Sequence, residues 1–280
     1  MSEILCPNCN SIVQLSDTYA QCESGHSFPK ENGVYHLISE SFGEILYPFL
    51  EGVENYQRIH NSPIPTELLP QTPYIGENTH QWNIRRKEWE WMLNNLPASP
   101  SRILNYGSWN GWLSNRLVDK GHSVTAISEF RDEHDGLGSN QHYTNKWTSL
   151  LMDTSQPLFA EASFDGIVLN YCFPYHDQRE LLKHVHRILK PRGTLFVIGL
   201  SLPRDPDKVL ASYQKIENYL RAEGKPIGIR DFTPFLTRAD LELLNEFGFS
   251  IYPMNNNWIK STINRVLRRG SKNIVAIKQL

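Results

Sequence analysis

A chain of 280 residues with 40% apolar and 21% charged residues has the composition of a folded globular protein, long enough for one full α/β domain and a small appendage. Its formal net charge of -2 excludes broad nucleic-acid binding through charge alone. No apolar run approaches the roughly 20 residues that span a bilayer, and a cysteine pair stands where a signal peptide would have its apolar stretch, so the sequence reads as cytoplasmic with no membrane partner.

Three of the four cysteines fall within the first 22 residues, which is metal arithmetic rather than a disulfide framework. Cys6-Pro-Asn-Cys9 is a CxxC knuckle, and Cys22-Glu-Ser-Gly-His26 adds a third thiolate and an imidazole. Cys6, Cys9, Cys22 and His26 can close a tetrahedron around Zn²⁺, and four protein ligands leave no open position, so the ion would be structural. A segment of residues 1–38 buries too little core to fold alone, which makes metal a source of its folding energy. Free thiols in an unstructured tail are the alternative reading. The run CESGHSFPKENGVYHLI is similar to the zinc module at the front of methyltransferases that modify a guanine of large-subunit ribosomal RNA. That resemblance implies a zinc-ribbon-like module, with rRNA guanine methylation as one function. The module is also a surface for a protein partner.

Residues 39–100 begin without a clear period, and Pro63, Pro65, Pro70 and Pro73 break any long helix there. Gln81 to Leu96 then reads as an amphipathic helix with Trp82, Trp89, Met92, Leu93 and Leu96 on one face. The stretch from Arg102 to Phe130 organises the rest of the chain. Ile103-Leu104 is a buried strand, Gly107 to Gly111 a tight turn, and Trp112, Leu113, Leu117 and Val118 recur at helical spacing until Gly121. Ser123 to Ile127 is a second strand. This βαβ unit places the glycine turn at the carboxyl edge of a parallel sheet, where ligands bind.

Asp132 to Tyr143 reads as a loop, and Asp153 follows Leu150-Leu151-Met152 in another. Phe164 to Asn170, FDGIVLN, is apolar enough for a central parallel strand. Just past it stand Tyr171, Cys172, Tyr175 and His176. His176, with an unperturbed pKa near neutrality, is the candidate general base, and Tyr171 and Tyr175 are candidates to orient an acceptor. Cys172 is a nucleophile or, as single buried thiols usually are, a small core residue. Arg179 to Leu189 is an amphipathic helix with a turn at Lys190 to Gly193. Further helices run from Pro203 to Gly224 and from Thr237 to Phe247, the latter capped by Thr237 and stopped by Gly248. Phe249 to Tyr252 and Asn273 to Lys278 are strands. Lys260, Arg265, Arg268, Arg269 and Lys272 between them make a basic stretch, either a contact for RNA phosphates or a solvated helix face.

RILNYGSWNGWLSNRL resembles the first motif, acid-x-Gly-x-Gly-x-Gly, of class I S-adenosylmethionine (SAM) methyltransferases, and LLKHVHRILKPRGTLFVIGL resembles the helix, turn and fifth strand of that superfamily. The resemblance implies an α/β fold with a Rossmann-like seven-stranded sheet over residues 101–280, a helical connector (39–100) covering the cleft, and SAM as cofactor beside structural zinc. Asn105, Gly107, Ser108, Trp109 and Gly111 would then form the cofactor loop, Ser128 or Glu129 would take the ribose, Asp153 the adenine, and Asn170 would face the methyl group. Arg85 would meet the SAM carboxylate, or else be solvated on a surface helix. Asn105, Trp109 and Ser128 depart from the family's acid, middle glycine and ribose-binding acid, which motivates an alternative: a non-catalytic scaffold with a degenerate SAM site. No Asn-Pro-Pro-aromatic run comes after the fourth strand, which disfavours methylation of an exocyclic base nitrogen. The acceptor, a small molecule or RNA, is not written in the sequence.

Overall fold

A computed structural model describes residues 3–61, 63–75, 80–254 and 273–280. The basic stretch from Lys260 to Lys272 lies outside them. The N-terminal segment supplies five short strands: β1 (Ile4–Leu5), β2 (Ile12–Leu15), β3 (Tyr19–Cys22), β4 (Ser27–Glu31) and β5 (Val34–Leu37). Helices α1 (Glu40–His60) and α2 (His80–Leu93) lead into the expected βαβ unit of β6 (Arg102–Tyr106), α3 (Trp112–Asp119) and β7 (Ser123–Ser128). Next come β8 (Thr148–Met152), β9 (Phe164–Asn170), α4 (Gln178–Ile188) and β10 (Leu189–Ser201). Helices α5 (Pro206–Ala222) and α6 (Arg238–Glu246) precede β11 (Ser250–Pro253) and β12 (Asn273–Gln279).

The strands form one sheet in the order β1-β2-β3-β4-β5-β8-β7-β6-β9-β10-β12-β11. Strands β5 through β10 in this order run parallel, while β12 is antiparallel to β10 and to β11. The seven from β8 to β11 are the sheet that the sequence implied. The cysteine-bearing segment continues this sheet: β5 pairs with β8, Tyr35 opposite Leu150 and His36 opposite Leu151. Backbone bonds from Leu5 to Leu158 (2.9 Å) and from Ala160 to Glu3 (3.0 Å) tie β1 down as well.

Pleating of the apolar strands fills two faces. In β9, Val168 joins Trp89, Trp91, Met92, Trp112 and Leu117 on the face covered by α2 and α3. Ile167 and Leu169 point the other way, to Leu182, Val185, Leu241 and Leu244 of α4 and α6. Each such fully buried side chain stabilises by about 1.5–3 kcal/mol. The capping box at Thr237 and Asp240 starts α6 as the sequence indicated, and Gly248 after it has φ 82°.

Three local differences from the sequence reading have physical causes. α1 was hidden by Gly43, Pro48 and Gly52, yet a Cβ on Gly52 would lie 2.4 Å from Leu220 Cδ2, so that glycine admits α5 against α1. In α2, Leu93 is exposed, while Trp91 and the carboxylate of Glu88 are buried. Lys190 to Gly193 is not a free turn but an irregular start to β10, with Arg192 at φ 65° and the register shifting between Leu189 and Thr194. No described helix is long and apolar enough to cross a membrane.

Candidate active site

The carboxyl ends of β6, β7, β8 and β9 open onto a cavity of about 190 Å³. Gly107, Trp109, Ser128, Glu129, Phe130 and Thr154 form one side of it. Tyr171, Cys172, Tyr175 and His176 form the floor, while α1, α5 and residues 227–232 enclose the far side. Seven sequence-predicted positions therefore meet at one cavity: Gly107, Trp109, Ser128, Glu129, Tyr171, Tyr175 and His176. Asn105, Ser108, Gly111, Asp153, Asn170 and Arg85 are not among its walls.

The glycine turn is built for internal packing. Gly107 and Gly111 have φ of 79° and 77°, and Trp109, without a glycine's freedom, has 47°. A Cβ on Gly107 would meet Asn170 O at 2.8 Å, and one on Gly111 would meet the Trp147 ring at 2.7 Å. The amides of Gly107 and Ser108 both donate to Ile127 O, at 2.9 and 3.0 Å. Below them Asn105 is fully buried, and its amide donates to Ser114 Oγ (2.8 Å) and Ser108 Oγ (3.2 Å) and accepts from Asn170 Nδ2 (3.2 Å). Where the family has an acid, this chain has a neutral network tying β6, the turn, α3 and β9 together. The Trp109 ring stacks on Phe130, centroids 5.1 Å apart and planes 10° from parallel.

Glu129 is the cavity's buried carboxylate. Thr154 donates to its Oε1 through backbone N (2.9 Å) and Oγ1 (2.8 Å), and Arg230 grips both oxygens, with Nη1 2.8 Å from Oε2. Arg230 Nη2 also reaches Asp153 Oδ1 at 3.1 Å. One guanidinium thus holds the two acids assigned to ribose and adenine. Ser128 Oγ accepts from Phe130 N. Arg85 lies on the rings of Trp82 and Tyr171, 4.6 and 4.9 Å from their centroids, and its buried Nε has no hydrogen-bond partner among the described residues.

His176 is buried, and burial pushes its pKa down. Both ring nitrogens are engaged: Nδ1 with Cys172 O at 3.0 Å and Nε2 with Thr154 Oγ1 at 2.8 Å. Cys172 O can only accept, so Nδ1 donates to it and the neutral ring accepts at Nε2 from the Thr154 hydroxyl, in competition with Glu129; neither nitrogen faces the cavity without a partner. Cys172 is a buried thiol on Tyr106 O, its pKa raised by burial, which fits the core reading. Tyr171, at φ 56°, lays its ring where a Gly199 side chain would be and donates to Glu88 Oε2 at 2.7 Å. Tyr175 and Tyr213 bond through their hydroxyls and flank Phe232 at 5.2 and 5.6 Å.

Phe130, Thr154, Arg230 and Glu88 escaped the sequence reading. Glu88 had a signal, a charge among Trp82, Trp89, Trp91 and Met92. Arg230 had none, since it lies 101 residues from Glu129.

Far from the cavity, Cys6, Cys9, Cys22 and His26 present four ligand atoms within 4.8 Å of one another. Cys9 Sγ to Cys22 Sγ is 3.7 Å, Cys6 Sγ to His26 Nδ1 3.7 Å, and Cys22 Sγ to His26 Nδ1 3.3 Å. Ligands about 2.0–2.3 Å from one tetrahedral ion lie roughly 3.4–3.8 Å apart, so this donor set fits zinc.

A family described as "Methyltransferase domain" matches residues 81–252, more than half of the chain. An uncharacterized methyltransferase of Mycobacterium tuberculosis is 24% identical over 145 residues, 52% of this chain and 56% of that one. The Bacillus subtilis protein YqeM, also named a methyltransferase, is 29% identical over 134 residues, 46% of this chain and 49% of that one. The chain thus spans about half the length of the curated relatives it matches. Among solved structures, a Haloferax volcanii complex of the Trm112 methyltransferase activator with a methyltransferase aligns at TM-score 0.47 and 16% identity, covering 75% of this chain and 96% of that one. A Burkholderia thailandensis N1-methyltransferase with bound S-adenosylhomocysteine aligns at TM-score 0.41 and 16% identity, covering 69% and 75%. On the match across residues 81–252, the chain belongs to the methyltransferase-domain family.

Proposed function

We propose that the protein is a SAM-dependent methyltransferase whose cofactor lies along Gly107, Trp109, Phe130 and Glu129. The observation that carries this is Glu129: a buried carboxylate just past β7, one residue after the position of the family's usual acid, on a residue that lines the cavity. A carboxylate suits the two hydroxyls of a ribose, and the Trp109–Phe130 stack offers an aromatic surface to adenine. When bound, SAM supplies an electrophilic methyl group. The chain's own residues bind, orient and exclude water, which accounts for most of the rate in such transfers. Arg85, with its unpartnered Nε beside Tyr171, is the group proposed for the cofactor carboxylate. His176 acts as a positioning residue, its Nε2 fixing the Thr154 side chain while the Thr154 amide bonds Glu129, in place of the general-base role the sequence suggested for it.

Arg230 occupies Glu129 in this structure, so a ribose diol must compete with a guanidinium. The test is Glu129→Gln, which keeps the size but drops the charge and replaces one acceptor oxygen with a donor. Isothermal titration is expected to find S-adenosylhomocysteine binding weakened about 100-fold, some 2.7 kcal/mol, with unchanged circular dichroism. Unchanged affinity would remove Glu129 from the cofactor site. Gly111→Asp is a poorer probe, because Trp147 leaves no room for a side chain there. For the N-terminal cluster we propose one structural zinc ion, countable by metal analysis of the purified chain; a zinc-free, folded protein would refute it.

A further inference from the structure

We propose that the methyl acceptor is a small, uncharged, largely apolar molecule with an aromatic ring, held between α1, α5 and residues 227–232; this rests on the methyltransferase reading above. The two sides of the cavity differ in chemistry. Opposite the cofactor residues, α1 contributes Phe49 and Val53, α5 contributes Ile216 and Leu220, and the segment after α5 contributes Ile229 and Phe232. Burying apolar ligand surface against such walls stabilises binding by about 25 cal/mol per Å², and aromatic walls favour an aromatic guest.

Charge points the same way. Among the described lining residues Arg230 is the one Arg or Lys, and its guanidinium is committed to Glu129 and Asp153. Glu129 and Glu217 are the described lining carboxylates. An anionic acceptor would enter against acidic groups, with no uncommitted cation among the described lining residues to receive it. The enclosure is also packed rather than open. Leu220 of α5 sits against Gly52 of α1, Lys225 bonds Glu51 at 2.6 Å, and the rings of Tyr56 and Tyr219 meet edge to face at 5.3 Å. A structured nucleic acid does not fit beneath that contact, whereas a compact molecule does. The paired hydroxyls of Tyr175 and Tyr213 give such a guest a polar group to bond.

In the transfer, a lone pair on the acceptor's heteroatom forms the new bond to the methyl carbon. The methyl–sulfur bond breaks with its electrons staying on sulfur, and the acceptor's proton leaves to water.

The test titrates the full-length, zinc-loaded protein with N-phenyl-1-naphthylamine, a neutral aromatic fluorophore, and separately with S-adenosylhomocysteine. Saturable one-to-one fluorophore binding is expected, weakened at least tenfold in Ile216→Asn and in Ile229→Gln, with S-adenosylhomocysteine affinity unchanged in both. Two variants on different walls guard against one misfolding. Absent or non-saturable fluorophore binding, or binding indifferent to both variants, would overturn the proposal. So would methyl transfer from labelled SAM to a ribosomal RNA fragment but to none of a panel of phenols, naphthols and indoles. Fluorophore binding without any S-adenosylhomocysteine binding would instead overturn the methyltransferase reading while upholding the ligand class.

Discussion

The end of β7 and the middle of α2 each bury a glutamate near the same edge of the sheet, and their surroundings treat it oppositely. Glu129 receives a guanidinium and two donors from Thr154. Glu88, fully buried, receives only neutral donors among the described residues, the Tyr171 hydroxyl at 2.7 Å and the Gly199 amide at 2.8 Å. Burial without a bonded cation pushes the Glu88 pKa up to about 7. The contrast separates two uses of a buried acid. Glu129 is held by a guanidinium that a ligand can replace, whereas Glu88 is a clamp fixing Tyr171 on the cavity floor.

That contrast breaks most visibly through pH. Between 4.5 and about 7 the folded chain holds a proton on Glu88 that the unfolded chain has released, so this contribution is full below 4.5 and is lost as pH rises through about 7. It amounts to roughly 3 kcal/mol at most. His36, His122, His176 and His186, whose pKa values burial lowers, slope the other way, so the test is a difference. The denaturant midpoint of the wild type relative to Glu88→Gln is expected to fall from pH 5 to pH 8, and parallel profiles would show that Glu88 does not titrate there. Arg230→Met addresses the other acid. Releasing Glu129 should tighten S-adenosylhomocysteine about tenfold, some 1.4 kcal/mol, while destabilising the unliganded chain by about 3 kcal/mol, since a buried carboxylate loses its cation. Weaker binding would mean that Arg230 itself contacts the cofactor, and the two acids would no longer differ in the way described. Tyr171→Phe should have the smallest effect, about 1 kcal/mol for one lost hydrogen bond, read in urea melts at pH 5. A loss several times larger would mean that the Tyr171 ring, lying over Gly199, depends on its hydroxyl for its place.

Much of the fold was legible because its signals are local. The apolar run of β9, the glycine turn after β6, the helical spacing of α3 and the cap at Thr237 each arise from residues close in sequence. The Cys-x-x-Cys and Cys-x3-His pairs also announced a cluster whose four ligand atoms do converge. Helix α1 was not legible, because Gly52, a helix breaker by propensity, is present for contact with Leu220 of α5.

By itself, then, the sequence determined a parallel α/β sheet, a turn at its carboxyl edge and a set of polar residues placed there. Tertiary structure decided which of them meet. Asn105 turned inward because Ser108, Ser114 and Asn170 satisfy its amide, while Glu129 reached the cavity. Arg230 found Glu129 across 101 residues, and α1 and α5 closed over an apolar chamber. Propensity and spacing act over one or two turns of chain. A buried ion pair or a cavity wall depends on segments that only folding brings together.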